Sequence, residues 1–467
     1  MIEIEKKKKI HFVGIGGIGM SGVAFLLMEL GCKISGSDLK DNGLIAKLRS
    51  KGAKIFIGHR DSNLEGDVDL VVYTSCIRED NPEMIKARKL NIQIAHRQTM
   101  LATLIQEKKG VAITGAHGKG TTTTFTGLCL LEAGLDPTIF VGTEVINFGG
   151  NAKVGKGEFF VMETDESDGS FVELQPYYAV LTNIDKEHLE HYKDMGNLIS
   201  ANRKFVDNIK KGGCLFCLYG DKNIQKALKD YRNRYKTFGF SSDSDLYAKD
   251  VEVQGITTTF KCLSLGKEID KFKLMLPGSH NVLNALGAIS VALEIGISPS
   301  IIKTALSNYK GAARRFEVKG DFGGILVIED YAHHPTEIKA TLEVCKHWHR
   351  GKVISIFQPH RFSRTQLLAD EFGSAFDMAD ELILTDIYSA HEDPIKGVST
   401  KLIFDKVKQK GKNEVCLIAK DEIVDYIGSR VNKGDIVLIL GAGDIGDISV
   451  KIAQRLKERE IKAKLKL

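Results

Sequence analysis

The sequence predicts an α/β protein of three domains. Three short apolar strands each run into a glycine-rich turn: Ile10 to Val13 before Gly14, Val111 to Thr114 before Gly115, and Ile436 to Leu440 before Gly441. Such strand-to-loop steps are where α/β folds bind ligands. A length of 467 residues agrees with that number, since ~150 residues make an ordinary domain.

Two breaks separate the units. Gln106 to Gly110 (Gln-Glu-Lys-Lys-Gly) is a charged interruption, and Asn308 to Arg314 is turn-like, so the boundaries fall near 107 and 315. The expected domains are therefore 1–107, 108–315 and 316–467. In the first, Lys33 to Ser37, Lys54 to Gly58 and Leu70 to Thr74 read as strands between helical stretches Gly43 to Lys51 and Pro82 to Leu90. In the second, Phe159 to Met162 and Ala179 to Thr182 read as buried strands, and Asp250 to Met275 alternates as an antiparallel insertion would. In the third, Val353 to Phe357, Glu381 to Thr385 and Ile436 to Leu440 read as parallel strands.

Composition narrows the function classes. With 65 basic against 60 acidic residues the net charge is only +5, so no electrostatic footprint points to nucleic acid as a partner. Small anions remain possible ligands. The eight cysteines are scattered and make no disulfide framework; Cys214-Leu-Phe-Cys217 lacks a second ligand pair and reads as strand core. Lys6 to Lys9 followed by the apolar run Ile10 to Leu30 has the outline of an export signal. However, Gly14, Gly16, Gly17, Gly19 and Gly22 break a membrane helix and suit a strand, turn and helix start. The expectation is a cytoplasmic protein with no membrane partner, Lys6 to Lys9 being a solvated lead-in.

Gly14-Ile-Gly16-Gly17-Ile18-Gly19 fits G-x-G-x-x-G, with Asp38 after the next strand. The glycines let a diphosphate approach the backbone at a helix N-terminus, and the acid suits a ribose hydroxyl. The pattern serves NAD, FAD or a nucleotide sugar equally well, and also occurs as a mere glycine-rich turn.

Thr114-Gly115-Ala116-His117-Gly118-Lys119-Gly120-Thr121-Thr122 follows a strand and opens a helical pattern running to Glu132. Amides of such a loop cradle phosphates, the lysine bridges the outer ones, and a hydroxyl serves the magnesium that accompanies ATP. Gly115 stands three residues before Gly118 where the common phosphate loop has five, and Gly120 occupies the usual Ser/Thr position. Thr121 is then the natural magnesium ligand.

Glu163-Thr-Asp165-Glu166-Ser-Asp168 lies at a strand end, where carboxylates would hold Mg²⁺, although the same residues also suit a solvated acidic loop. Thr182-Asn183-Ile-Asp185-Lys-Glu187-His188 ends another strand. There His188 would bind a second cation, though an isolated histidine is more often structural.

These motifs occur in order with Gly278-Ser-His280-Asn281-Val-Leu-Asn284-Ala, Arg314-Arg315-Phe, Asp330-Tyr-Ala-His333-His334-Pro and Gln358-Pro-His360-Arg361-Phe-Ser-Arg364. The set resembles the Mur ligases from about residue 10 to about 450. The resemblance implies Rossmann-like N- and C-terminal domains around a central P-loop-type ATPase domain. It also implies an ATP- and Mg²⁺-dependent ligase of peptidoglycan precursor synthesis, and within the family the activity that joins L-alanine to UDP-N-acetylmuramate through an acyl phosphate.

By the same resemblance, Lys119 acts on the transferred phosphoryl, Thr121 and Glu163 hold one Mg²⁺, and His188 helps hold a second. Gly115 to Thr122, His280, Asn281 and Asn284 take the nucleotide, with Arg315 on its phosphates and Asp330 on its ribose. His333, His360, Arg361 and Arg364 lie near the reacting carboxylate or the amino acid; Arg361 and Arg364, three apart, also suit surface ion pairs. In the first domain Gly14 to Gly19, Ser37 and Asp38 hold UDP, and Ser75, His96 and Arg97 face substrate. Gly441-Ala-Gly-Asp444-Ile-Gly446 matches the family without an assigned task. The expected state is a monomer or homodimer with small-molecule partners only. Rival activities are the ligase that attaches a whole tripeptide to UDP-N-acetylmuramate, a nicotinamide dehydrogenase using Gly14 to Gly19, and a nucleotide-driven switch.

Overall fold

The computed structural model describes residues 8–348, 351–390, 392–412 and 414–464. Lys6 and Lys7 lie outside them. Lys9 is not lead-in but the first residue of the first strand, Lys9–Val13, and it pairs with Asp67. The fold is the three-sheet α/β architecture expected, gathered into two compact units. One takes in residues up to Glu252 with Thr259–Met275 and Asn281–Lys310; the other holds Val253–Thr258, Leu276–His280 and the chain from Gly311 onward.

The first unit carries a five-stranded parallel sheet in the order Lys54–Ile57, Lys33–Asp38, Lys9–Val13, Leu70–Tyr73, Gln93–His96. The order reverses beside Lys9–Val13, so the turn after that strand opens into a crevice, the binding position of such sheets. A ten-stranded sheet follows, with Lys109–Thr114 between Tyr178–Leu181 and Phe159–Glu163. Lys109 and Gly110, expected in a break, are already strand; the connection after helix Arg97–Gln106 is two residues long. Leu246–Gln254, Thr257–Ser264 and Lys267–Leu274 extend one edge of this sheet, where the insertion was expected.

Helix Ile18–Glu29 joins the two sheets of this unit. Met20, Val23 and Leu27 share one buried cluster with Phe140, Ala152 and Phe160. Close approach depends on Gly22, where a Cβ would stand 2.7 Å from the Phe140 ring. Cys214 and Cys217 lie buried in strand Cys214–Leu218, and burial pushes their thiols up to about 11 and about 12, the behaviour of inert core residues.

The second unit has a six-stranded sheet in the order Glu317–Phe322, Ile325–Asp330, Ile436–Leu440, Val353–Phe357, Glu381–Leu384, Val415–Leu417. All pairs are parallel except the first, an antiparallel edge hairpin. Ile436–Leu440 is buried at all five positions because helices cover both faces, which is why it reads as an uninterrupted apolar run. Among the described residues, no helix is long and apolar enough to cross a membrane.

Candidate active site

The Gly14–Gly19 turn is shaped by the strand beside it. Gly14 adopts φ +85, and the amides of Gly14 and Ile15 both donate to the Ser37 carbonyl, at 2.8 and 3.0 Å. Asp38 Oδ2 accepts the Gly16 amide at 2.8 Å, so in this structure that carboxylate braces the turn. Gly17 caps the helix without a side chain, Asn151 donates to the Ile18 carbonyl, and a Cβ on Gly19 would overlap the Arg97 guanidinium. The turn therefore presents backbone under an arginine, a suitable seat for a diphosphate.

Ser37 departs from the expectation of a substrate-facing hydroxyl. Its side chain is fully buried, and Oγ donates to Glu83 Oε2 at 2.5 Å while lying 2.9 Å from His59 Nδ1. Glu83, in the first turn of helix Pro82–Lys89, was missed by sequence reasoning. It has no exposed surface and also meets His11 Nε2 at 3.3 Å, Asn63 Nδ2 at 2.6 Å and the Arg60 amide at 3.2 Å. Burial pushes its carboxyl up, but the bonds from His11, His59, Ser37 and Asn63 more than offset this and hold it well below the ordinary range.

The phosphate loop is held from the next strand. Thr182 Oγ1 and Asn183 Nδ2 donate to the His117 carbonyl at 2.7 and 3.0 Å, and Asn183 Oδ1 accepts the His117 amide at 2.9 Å. The His117 ring meets Asp185 Oδ2 at 3.0 Å. Gly115 (φ +129) and Gly118 (φ +82) need left-handed backbone; a Cβ on the first would overlap Thr182 Oγ1 and on the second Asn284 Oδ1. Asn284 is in turn bonded to Asn281 at 3.1 Å, and buried Thr122 directs its hydroxyl to Asn284. The structure thus gathers Gly118, Thr122, Asn281 and Asn284 around one loop end.

Lys119 opens helix Lys119–Glu132 and reaches back to the carbonyls of Gly115 and Ala116 and to Glu166 Oε1 at 2.8 Å. Burial works against its charge, but Glu166 and Glu163 more than offset that, and the ammonium titrates above its ordinary value. Glu163 Oε2 accepts the Gly142 amide at 2.7 Å, and a Cβ on Gly120 would lie 3.2 Å from the same oxygen. His188, at φ +56, has Nε2 4.0 Å from both Glu166 and Glu187. Burial lowers its affinity for a proton, but Glu190, Glu166 and Glu187 raise it further than burial lowers it. A hydroxyl at Thr121, carboxylates at 163 and 166 and an imidazole at 188 are hard oxygen and nitrogen donors, and Glu166 Oε2 is buried without a hydrogen-bond partner. That chemistry fits Mg²⁺ beside a triphosphate.

In the second unit, Asp330 ends strand Ile325–Asp330, and its carboxylate accepts the amides of Phe316 and Ala332 at 2.7 and 2.8 Å. Burial pushes it up to about 6, against the pull of Arg315. Arg315 lies over the Tyr331 ring, 5.2 Å from its centroid. Burial, with Arg315, pushes His280 down to about 4, so its imidazole is neutral at pH 7. His333 and His360 face each other edge to face, with centroids 5.7 Å apart, and His360 stacks on Tyr388. Arg364, expected either at substrate or in a surface ion pair, is 7% exposed and donates to His360 Nδ1 at 3.0 Å. Arg361, at φ +71, meets the Glu392 carboxylate at 3.8 Å. The Gly441–Gly446 turn ties strand ends together: Gly441 N donates to Asp330 O, Arg314 donates to Gly441 O, and Gln358 bonds both Asp444 and the Ile445 amide.

A glycine-rich loop with its lysine at a parallel strand end, carboxylates beside it and a second glycine turn are the parts of a phosphate-loop enzyme. Three family models match in succession: Mur ligase family, catalytic domain, over residues 9–109; Mur ligase middle domain over 113–292; and Mur ligase, glutamate ligase domain, over 314–443. The chain belongs to the Mur ligase family. It is 43% identical to the UDP-N-acetylmuramate--L-alanine ligase of Carboxydothermus hydrogenoformans over 451 residues, covering 96% of this chain and 97% of that one. The enzyme of the same description from a Sulfurihydrogenibium species is 43% identical, with 97% and 99% covered. Among solved structures, the UDP-N-acetylmuramate-alanine ligase of Thermotoga maritima superposes with a TM-score of 0.82 at 33% identity, covering 97% of this chain and 99% of that one. A murein peptide ligase from Psychrobacter arcticus shares the fold, with a TM-score of 0.74 at 23% identity and coverage of 96% and 99%.

Proposed function

We propose that this enzyme joins L-alanine to the lactyl carboxylate of UDP-N-acetylmuramate at the expense of ATP, in the cytoplasm, as a step of peptidoglycan precursor synthesis. The observation that carries the reading is near full-length identity of 40–44% to relatives bearing that one description, in a chain that keeps the phosphate loop and its lysine. In the first half-reaction a carboxylate oxygen attacks the γ-phosphorus, the bond to the β,γ-bridging oxygen breaks, and ADP leaves. Lys119 then trades Glu166 for the transferred phosphoryl, and the loop amides held by Thr182 and Asn183 line the triphosphate. Mg²⁺, held by Thr121, Glu163 and His188, would lower the repulsion between carboxylate and triphosphate.

In the second half-reaction the alanine amine attacks the acyl carbon, phosphate leaves, and the nitrogen gives up a proton. Two imidazoles of the second unit suit this step. His333 Nδ1 lies 3.0 Å from the Tyr331 carbonyl and 3.3 Å from Glu337 Oε2, two acceptors that keep a proton on Nδ1, so Nε2 is the nitrogen proposed to take the proton. His360 Nδ1 accepts from Arg364, so its Nε2 carries a proton and suits a developing oxyanion. Arg361 supplies a cation for the amino-acid carboxylate, and Arg315, His280, Asn281, Asn284 and Asp330 serve the nucleotide. In the first unit the Gly14–Gly19 turn, with Ser75, His96 and Arg97, takes the UDP-sugar; Ser37 and Asp38 hold that turn in shape.

Phosphate release from ATP and Mg²⁺ with UDP-N-acetylmuramate tests the reading, comparing L-alanine, the L-Ala-γ-D-Glu-diamino-acid tripeptide and no acceptor. Release that requires L-alanine and vanishes in Lys119→Ala supports it. Release with the tripeptide alone assigns the chain to the tripeptide-attaching activity instead.

A further inference from the structure

Residues 163–168 carry four carboxylates that point two ways. Glu163 and Glu166 address the phosphate-loop side: Glu163 lies beside Gly120 and Gly142, and Glu166 grips Lys119. Asp165 and Asp168 address the other nucleotide's side. Asp165 Oδ2 accepts Arg97 Nη2 at 2.9 Å. Asp168 Oδ2 accepts Ser75 Oγ at 2.7 Å and lies 3.6 Å from His96 Nε2.

The direction of this last chain is fixed. His96 Nδ1 accepts the Gln98 amide at 3.3 Å as a helix cap, so Nε2 carries the proton and donates to Ser75 Oγ at 3.0 Å; the serine hydroxyl is left to donate to Asp168. His96 is therefore not a base acting on this hydroxyl, because the imidazole donates to it and the serine proton goes to Asp168. The loop is anchored at both ends. Thr164 bonds Ile113 O through both N and Oγ1, at 2.9 and 3.0 Å, and the amide and hydroxyl of Ser170 bond Asp168 Oδ1. In the middle, Tyr192 donates its hydroxyl to the Glu166 carbonyl. Arg97 is packed over Gly19 with its Nε–H buried and without a hydrogen-bond partner, beside the turn that seats the diphosphate.

We propose that Asp165 and Asp168 are positioning residues that couple the two nucleotide sites through this loop. The inference rests on the ligase reading above. A diphosphate on the Gly14–Gly19 turn offers Arg97 a stronger partner than Asp165. Asp165 then loses its cation, and its unopposed charge, in the same loop as Glu163 and Glu166, adds to the attraction for Mg²⁺, so the UDP-sugar tightens the Mg²⁺ on which ADP binding depends. Linkage makes the effect reciprocal. Asp168, by holding Ser75 and His96, keeps the substrate-facing segment in register with the loop while this exchange occurs.

Calorimetric titration of the full-length enzyme with Mg²⁺·ADP, with and without saturating UDP-N-acetylmuramate, tests the coupling. The wild type should bind Mg²⁺·ADP about 5- to 10-fold tighter with the sugar nucleotide present. Asp165→Asn should bring that ratio to within about 2-fold of one, and Arg97→Gln, which cuts the same link from the other side, should do likewise even if one of the pair melts early. Asp168→Asn should raise KM for UDP-N-acetylmuramate about 5-fold with KM for L-alanine unchanged. Wild-type coupling near one, or full coupling retained in Asp165→Asn, overturns the proposal. If wild-type turnover with L-alanine stands while coupling is absent, the proposal alone has failed; absent turnover with every acceptor is the failure of the ligase reading.

Discussion

Lys119 Nζ lies 2.8 Å from Glu166 Oε1, and both side chains are largely buried, at 16% and 4% exposure. The pair holds the lysine inside the loop, and on the proposed mechanism the Glu166 oxygen stands where a phosphate oxygen comes to lie, which would superimpose a structural and a catalytic role on Lys119. Lys119→Ala should cut kcat/KM at least about 100-fold, the scale of one lost charge-stabilising donor. It should also lower the melting temperature, since breaking a buried pair strands the remaining charge at a cost of about 3 kcal/mol. Lys119→Met combined with Glu166→Gln removes both charges and should recover most of the melting temperature but none of the turnover. Steady-state phosphate release and thermal melting of the two variants separate the roles.

The glycines of the phosphate loop should not be equally sensitive. At Gly115 a side chain meets left-handed backbone, Thr182 Oγ1 and, 2.7 Å away, the Asn183 carbonyl. At Gly120 the φ is ordinary and the nearest atom is a carboxylate oxygen 3.2 Å away. Gly115→Ala should therefore abolish measurable Mg²⁺·ADP binding and destabilise by about 2 kcal/mol or more. Gly120→Ala should change the dissociation constant less than about 5-fold, by calorimetry.

The contrast between those two glycines marks what a sequence exposes. Gly115, Gly118 and Lys119 are legible because a strand, a tight turn and a helix start leave few residue types free to vary in the reading. The acidic run 163–168 is equally visible, but its division of labour is not: which carboxylate faces which partner depends on a turn of a few residues and on strands far away in the chain. Glu83 is hidden altogether. It follows a proline at a helix start, where an acid is ordinary, and only the packing of three segments around it makes it a hub. Ser37 misleads for the same reason, since a serine at a strand end reads as open while burial spends its hydroxyl on Glu83.

Glu83 sets an acid limit on the first unit. Folding depresses its pKa below the ordinary value of 4.5, so its contribution is fully present above that pH and is lost as pH falls below it. Glu83→Gln should lower the melting temperature at pH 7, because the amide cannot accept from His11, Ser37 and Asn63 together. It should also narrow the gap between melting at pH 7 and pH 4 relative to wild type. An equal gap in the two proteins would show that Glu83 is not the titrating group.

Arg364 should control the proton on His360. An arginine has no acceptor atom, so the 3.0 Å contact to His360 Nδ1 requires that nitrogen to be bare, and the same guanidinium nitrogen also bonds the His360 carbonyl at 3.2 Å. With Arg364→Ala the ring is free to carry its proton on Nδ1, turning an acceptor toward the oxyanion. The expected result is a loss of about 100-fold in kcat, with KM for ATP unchanged because Asp330, proposed for the nucleotide, keeps its bonds from Phe316 and Ala332. His360→Asn, whose amide always offers a donor, should lose less than Arg364→Ala loses. Nitrogen-15 NMR of the labelled histidines reads the tautomer directly: a His360 that stays protonated on Nε2 in Arg364→Ala would mean that the arginine acts on the substrate instead of on the imidazole.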